Sequence, residues 1–174
     1  MYKKILLVCT GNTCRSPMAA ALLRKILEKR GKVSPELQIA SAGLYADPGA
    51  PASPEAVEAM REYGVDLTTH RARGIERAEL LAAELILTMT AGHKEQLVAD
   101  YPEIKDKVYV LREFIAEKRR EKGEEGLGDG LAAGHDRIGF DLPDPFGHNL
   151  EVYRCCAAVL AEELEALVQI LAGE

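Results

Sequence analysis

Long apolar runs are missing from this chain, which excludes a membrane-spanning helix: no stretch approaches the roughly 20 residues that a bilayer requires. Met1-Tyr2-Lys3-Lys4 leads straight into Ile5-Leu6-Leu7-Val8, too few apolar residues for the core of a secretory signal. The expectation is a cytoplasmic protein with no membrane partner. A basic excess is also lacking. The 22 Lys and Arg against 28 Asp and Glu leave a net charge of −6, which argues against a nucleic-acid-binding face. Cysteine is sparse: four in 174 residues form no disulfide framework in a chain this long. No Cys/His spacing resembles a zinc site, so neither a metal nor another cofactor is expected. Cys155 and Cys156, adjacent on a helix, read as small buried apolar side chains. Tryptophan is absent. The rest, 47% hydrophobic and 29% charged, has the composition of one soluble globular domain over residues 1–174.

Four apolar runs of strand length recur, at Ile5 to Val8, Leu37 to Ser41, Leu85 to Met89 and Val108 to Leu111. Helical patterns lie between them: Pro17 to Lys29, Pro54 to Tyr63, Glu76 to Leu81 and Gly92 to Asp100. A last helix runs from about Leu150 to Leu171, with Asn149 as its N-cap and Val152, Cys156, Val159, Leu160, Leu164, Leu167 and Leu171 at helical spacing. Strands alternating with helices predict an α/β fold, a four-stranded parallel sheet with helices on both faces. In such sheets a ligand sits beyond the carboxyl ends of the strands. One segment breaks the alternation. Residues from about 118 to 139 are charged and then glycine-rich, and read as a helical extension of Arg112 to Lys122 followed by a solvated loop.

The chemistry concentrates behind the first strand, in Cys9-Thr10-Gly11-Asn12-Thr13-Cys14-Arg15-Ser16-Pro17. A loop of this length can curl until its backbone N–H groups point inward, making an anion cradle at the positive end of the following helix. The same field favours a thiolate at Cys9, and Arg15 can grip two phosphate oxygens with its planar fork. Gly11 and Asn12 supply unusual backbone angles; Asn12 is expected in the left-handed region. Ser16 can donate its hydroxyl to the Cys9 sulfur and ease departure of the thiolate. Nucleophile, cradle and clamp within seven residues point to phosphate-ester chemistry.

The loop resembles that of the low-molecular-weight protein tyrosine phosphatases, as do Ser41-Ala42-Gly43, His70-Arg71-Ala72-Arg73 and Asp141-Leu142-Pro143-Asp144-Pro145-Phe146-Gly147. The resemblance covers nearly the whole chain. It implies a phosphocysteine mechanism on phosphorylated proteins, with Cys9 as nucleophile, Arg15 as phosphate ligand and Asp144 as general acid. It also implies a hydrogen-bond brace behind the cradle (Thr10 to Arg15) from Asn12, Ser16, Ser41 and His70. Cys14 reads either as a small buried side chain or as a redox partner, since in relatives a cysteine at this place can form a reversible disulfide with the nucleophile. Pro143 and Pro145 stiffen the loop that aims Asp144, whereas Asp141 reads as a simple turn aspartate. His93, His135 and His148 show no partner spacing and receive no role.

Thr13 divides two readings. Tyrosine-directed relatives usually carry Ile or Leu there, an apolar wall for a phenol ring. Thr13 with Phe146, and Ser41 to Ala46 with Tyr45, resemble instead the bacterial protein-arginine phosphatases. The expected activity is therefore hydrolysis of protein phosphoarginine, with Thr13, Tyr45 and Phe146 setting selectivity and phosphotyrosine as the alternative leaving group. Two further readings are weaker. A thioredoxin-coupled arsenate reductase would need redox cysteines after the third strand, and Thr88-Met89-Thr90-Ala91-Gly92 has none. A phosphoprotein-binding module without catalysis would not need nucleophile, arginine and acid together. The sequence leaves the oligomeric state open.

Overall fold

A computed structural model describes residues 2–32, 35–123 and 137–173. Strand β1 (Lys4–Cys9) runs at the centre of a four-stranded parallel sheet of order β2-β1-β3-β4. Its partners are β2 (Gln38–Gly43) on one side and β3 (Leu85–Thr88) on the other; β3 in turn pairs with β4 (Val108–Val110). The order reverses direction at β1, so the chain leaves a crevice beyond the carboxyl ends of β1 and β3, where Cys9 lies.

Alternation along β1 separates two cores. Ile5, Leu7 and Cys9 face α1 (Arg15–Lys29) and α6 (Leu150–Ala172), together with Leu85, Leu87, Met18, Leu160 and Leu164. Leu6, Val8 and Ile86 face the opposite layer, which holds Leu80 of α3 (Arg77–Ala82) and Leu97 of α4 (Ala91–Asp100). Both faces of the central strands are covered, hence their unbroken apolar runs. The α6 helix also packs on α2 (Pro54–Arg61) and α5 (Leu111–Glu121). Asn149 caps α6, its side chain accepting from the Val152 N–H at 3.3 Å. No helix among the described residues is long and apolar enough to cross a membrane.

The predicted sheet and helices are all present, with shifted ends. Leu111 belongs to α5, not to the fourth strand, because Glu113 turns its carboxylate back to the Val110 N–H and closes the helix start there. Short 3₁₀ helices at Pro102–Lys107 and Arg137–Phe140 carry no apolar period and are absent from the sequence expectation. The expected helical extension after Arg112 is α5; residues 124–136 of the insertion, His135 among them, lie outside the described residues. Cys155 corrects one expectation: it is exposed, and only Cys156 is buried.

Candidate active site

Cys9 ends β1 with 3% of its surface exposed. Its Sγ lies 3.0 Å from Ser16 Oγ and accepts from the Asn12 N–H at 3.3 Å. Beyond it the chain curls round to α1. Asn12 makes the curl possible by adopting φ 56°, the left-handed region that asparagine tolerates better than most residues. The fully buried Asn12 side chain leaves nothing unsatisfied: Nδ2 donates to Ser16 Oγ and Ser41 Oγ, both at 2.9 Å, and Oδ1 accepts from the Arg73 N–H at 3.0 Å. His70 Nε2 donates to the Asn12 carbonyl at 2.7 Å. The brace of Asn12, Ser16, Ser41 and His70 is thus assembled from three separate parts of the chain. Burial, with Arg71, Arg24 and Arg73 nearby, pushes the His70 imidazole below its ordinary range against the opposing pull of the Asn12 carbonyl.

Below the loop lies Gly43, paired in register with Cys9. The loop backbone rests on it: a Cβ on Gly43 would stand 2.6 Å from the Thr10 carbonyl oxygen. The contact is closed by Leu44 and Tyr45, whose N–H groups donate to the Cys9 and Thr10 carbonyls at 3.0 and 2.9 Å. Carbonyls therefore point away from the cavity, the arrangement an anion cradle requires.

Arg15 opens α1 and is 4% exposed, so its charge must be met locally. One Nη donates to the Leu142 carbonyl at 3.1 Å and the other pairs with Asp144 Oδ2 at 2.8 Å. Asp144, its side chain 49% exposed, accepts the Phe146 N–H on its other oxygen at 3.2 Å. The loop bearing it is pinned by Leu142 N–H to the Met89 carbonyl at 2.9 Å and by Asp141 Oδ1 to the Ala91 N–H at 2.7 Å. Asp141 is therefore more than the turn residue expected from sequence, since it ties the acidic loop to the start of α4. A cavity of about 190 Å³ is lined by Cys9, Thr10, Gly11, Thr13, Cys14, Arg15, Asp144 and Phe146. Of the three residues expected to set selectivity, Thr13 and Phe146 line it; Tyr45 does not, and is hydrogen-bonded to Gln96 on α4. Among the described residues no cluster of His, Cys, Asp or Glu is placed to hold a metal ion.

Three neighbours of the cradle escaped the sequence reading. His93, on the first turn of α4, is 8% exposed, with Nε2 2.8 Å from Thr10 Oγ1. Burial, assisted by Arg15 and opposed by Asp144 and Asp141, pushes its imidazole down to about 4. Tyr153 of α6 is 1% exposed and sets its hydroxyl 3.3 Å from Cys14 Sγ. Ser53 Oγ stands 2.9 Å from the same sulfur. Both Cys9 and Cys14 are free thiols. Tyr153 does follow the helical period of Leu160, Leu164 and Leu167, and Thr90 three residues before His93 is a sequence-visible N-cap, but neither signal names a partner in the loop.

Residues 4–174 match the family model described as low molecular weight phosphotyrosine protein phosphatase. The protein-arginine-phosphatase of Geobacillus stearothermophilus is 38% identical over 172 residues, covering 99% of this chain and 95% of the relative. A probable low molecular weight protein-tyrosine-phosphatase, EpsP of Ralstonia solanacearum, is 42% identical over 168 residues, covering 97% and 95%. Among solved structures, a cysteine-to-serine mutant of the YwlE arginine phosphatase with a phosphorylated active-site serine superimposes with a TM-score of 0.80. It is 32% identical and covers 98% of this chain and 97% of that one.

Proposed function

Because the chain belongs to the low molecular weight phosphotyrosine protein phosphatase family, we propose that it hydrolyses phosphoarginine in proteins through a phosphocysteine. Overall identity does not separate the two substrates, since the tyrosine-directed relative is 42% identical and the arginine-directed one 38%. The observation that carries the choice is Thr13. It lines the cavity beside Cys9 and Asp144, with its hydroxyl 3.5 Å from Cys14 Sγ. A polar, β-branched wall gives a phenol ring little apolar contact and leaves the leaving-group end of the cavity to the Asp144 carboxylate, which suits a guanidinium.

In the proposed first step the Cys9 thiolate attacks phosphorus while Arg15 holds two phosphoryl oxygens. The entering phosphoryl group takes over the Arg15 fork and releases Asp144, which, half exposed, takes a proton from solvent and carries it towards the leaving group. The P–N bond breaks, its electron pair stays on the guanidino nitrogen, and that nitrogen takes the Asp144 proton. In the second step Asp144 accepts a proton from water as the water oxygen attacks phosphorus. The P–S bond breaks, and the thiolate leaves towards the Ser16 hydroxyl 3.0 Å away. The products are an arginine side chain and inorganic phosphate.

One observation favours phosphotyrosine: Phe146 lines the same cavity and is 69% exposed, an aromatic face available to a ring. A side-by-side assay on phosphoarginine and phosphotyrosine peptides separates the two. Wild type is expected to prefer phosphoarginine. Thr13→Ile exchanges a polar contact of about 1 kcal/mol for apolar surface of similar worth, shifting the kcat/KM ratio by roughly ten- to a hundredfold towards phosphotyrosine. An unchanged ratio would remove Thr13 as the selector.

A further inference from the structure

His93 makes one side-chain contact to the loop and leaves one atom without any. Its Nε2 meets Thr10 Oγ1 at 2.8 Å, while Nδ1 is buried with no hydrogen-bond partner among the described residues. Its position is over-determined from the other side. Thr90 Oγ1 accepts the His93 N–H at 3.2 Å as the cap of α4, and Asp141 ties the same helix start to the acidic loop. The imidazole is thus fixed between α4 and the residue that follows the nucleophile. Thr10 itself is exposed to the cavity it lines.

The protonation of the ring decides what Thr10 can do. With the proton on Nε2, imidazole donates to Thr10 Oγ1, and the threonine proton remains available for the cavity. With the proton on Nδ1, the threonine spends its own proton on the ring, and an N–H is buried without an acceptor, the rarer kind of orphan. A positive charge on the ring is disfavoured by burial, by Arg15 and by the positive end of α4, which outweigh the opposing pull of Asp144 and Asp141. A neutral Nε2–H ring fits all of these constraints.

We propose that His93 is a positioning residue of the phosphatase site: its Nε2–H donates to Thr10 Oγ1 and turns the threonine hydroxyl proton towards the phosphoryl group held above Cys9. Thr10 thereby adds one neutral donor to the cradle, supported from outside the loop by an element 83 residues away. The inference rests on the phosphatase reading for its consequence, but not for its geometry.

Two measurements test it. Nitrogen-15 NMR of the wild-type imidazole should show a neutral Nε2–H tautomer at pH 7, and an Nδ1–H tautomer overturns the proposal whether or not the protein is a phosphatase. In kinetics, His93→Ala and Thr10→Val should each lower kcat/KM about tenfold and weaken inhibition by inorganic phosphate similarly, the worth of one hydrogen bond to an anion. The double variant should be no worse than Thr10→Val alone, and His93→Gln, which places an amide N–H near the Nε2 position, should recover most of the loss. Losses that multiply in the double variant, or no recovery with glutamine in a folded protein, show that His93 does not act through Thr10. If wild type releases phosphate from no phosphopeptide, the phosphatase reading fails instead. Inorganic phosphate affinity of the same variants, measured by NMR titration, then judges the proposal alone.

Discussion

Replacing Gly43 by alanine puts a methyl carbon 2.6 Å from the Thr10 carbonyl oxygen, 2.9 Å from the Asn12 nitrogen and 3.0 Å from the Gly11 carbonyl carbon. All three are backbone atoms of the phosphate loop, so no side chain can swing aside. A carbon–oxygen contact normally opens to roughly 3.3 Å or more, so the loop and β2 must separate by about 0.7 Å. Gly43 has no positive φ, which leaves crowding as the cause of the effect. Displacing a reacting group by about 1 Å costs on the order of a hundredfold in rate, and overpacking costs about 1–3 kcal/mol of stability. In a domain of this size that corresponds to a fall in Tm of roughly 2–12 °C. Gly43→Ala should therefore stay folded at 25 °C, with kcat/KM reduced about a hundredfold on phosphoarginine peptide and on nitrophenyl phosphate alike. Both substrates depend on the same cradle. A variant within threefold of wild type on both would refute the view that Gly43 is the platform of the loop.

Cys9→Ser should lose turnover yet still bind inorganic phosphate, since the cradle amides and Arg15 remain; appreciable phosphate release by this variant would end the phosphocysteine mechanism. Asp144→Asn should slow phosphoarginine peptides far more than nitrophenyl phosphate, whose leaving group needs no proton, and equal losses would assign Asp144 to positioning. Stability should fall as the pH drops from the ordinary histidine value of 6.5 towards about 4, because the unfolded chain binds a proton that folded His93 refuses. Between pH 7 and pH 4.5 the loss comes to about 2.5 kcal/mol, read from urea unfolding, and should flatten in His93→Gln. Identical slopes in the two proteins would contradict a buried neutral ring.

The legible parts of the molecule are those whose causes are close in sequence. An apolar run, a glycine–asparagine turn and a serine–proline helix start lie within a few residues of one another, so strand, loop and helix followed from them. The left-handed Asn12 and the Asn149 cap are equally local. The parts that were missed depend on distant contacts. Asp141 reaches Ala91 across 50 residues, His93 reaches Thr10 across 83 and Tyr153 reaches Cys14 across 139. No local pattern sets such pairs; they follow from the order in which β1, β3 and the helices stack. Tyr45 fails in the opposite direction. The resemblance names it as a selectivity residue, but it does not line the cavity, and its hydroxyl is taken by Gln96.

The separation of the two cores along β1 gives the nucleophile a parity. Cys9 shares its face with Ile5 and Leu7, while Leu6 and Val8 look the other way. Deleting or inserting one residue within the strand would exchange odd for even, carrying the thiol to the layer of Leu80 and Leu97 and away from Ser16. Two residues would restore the face but move the sulfur about 7 Å along the strand, away from the loop that cradles it. The six residues from Lys4 to Cys9 are thus a ruler with one admissible length.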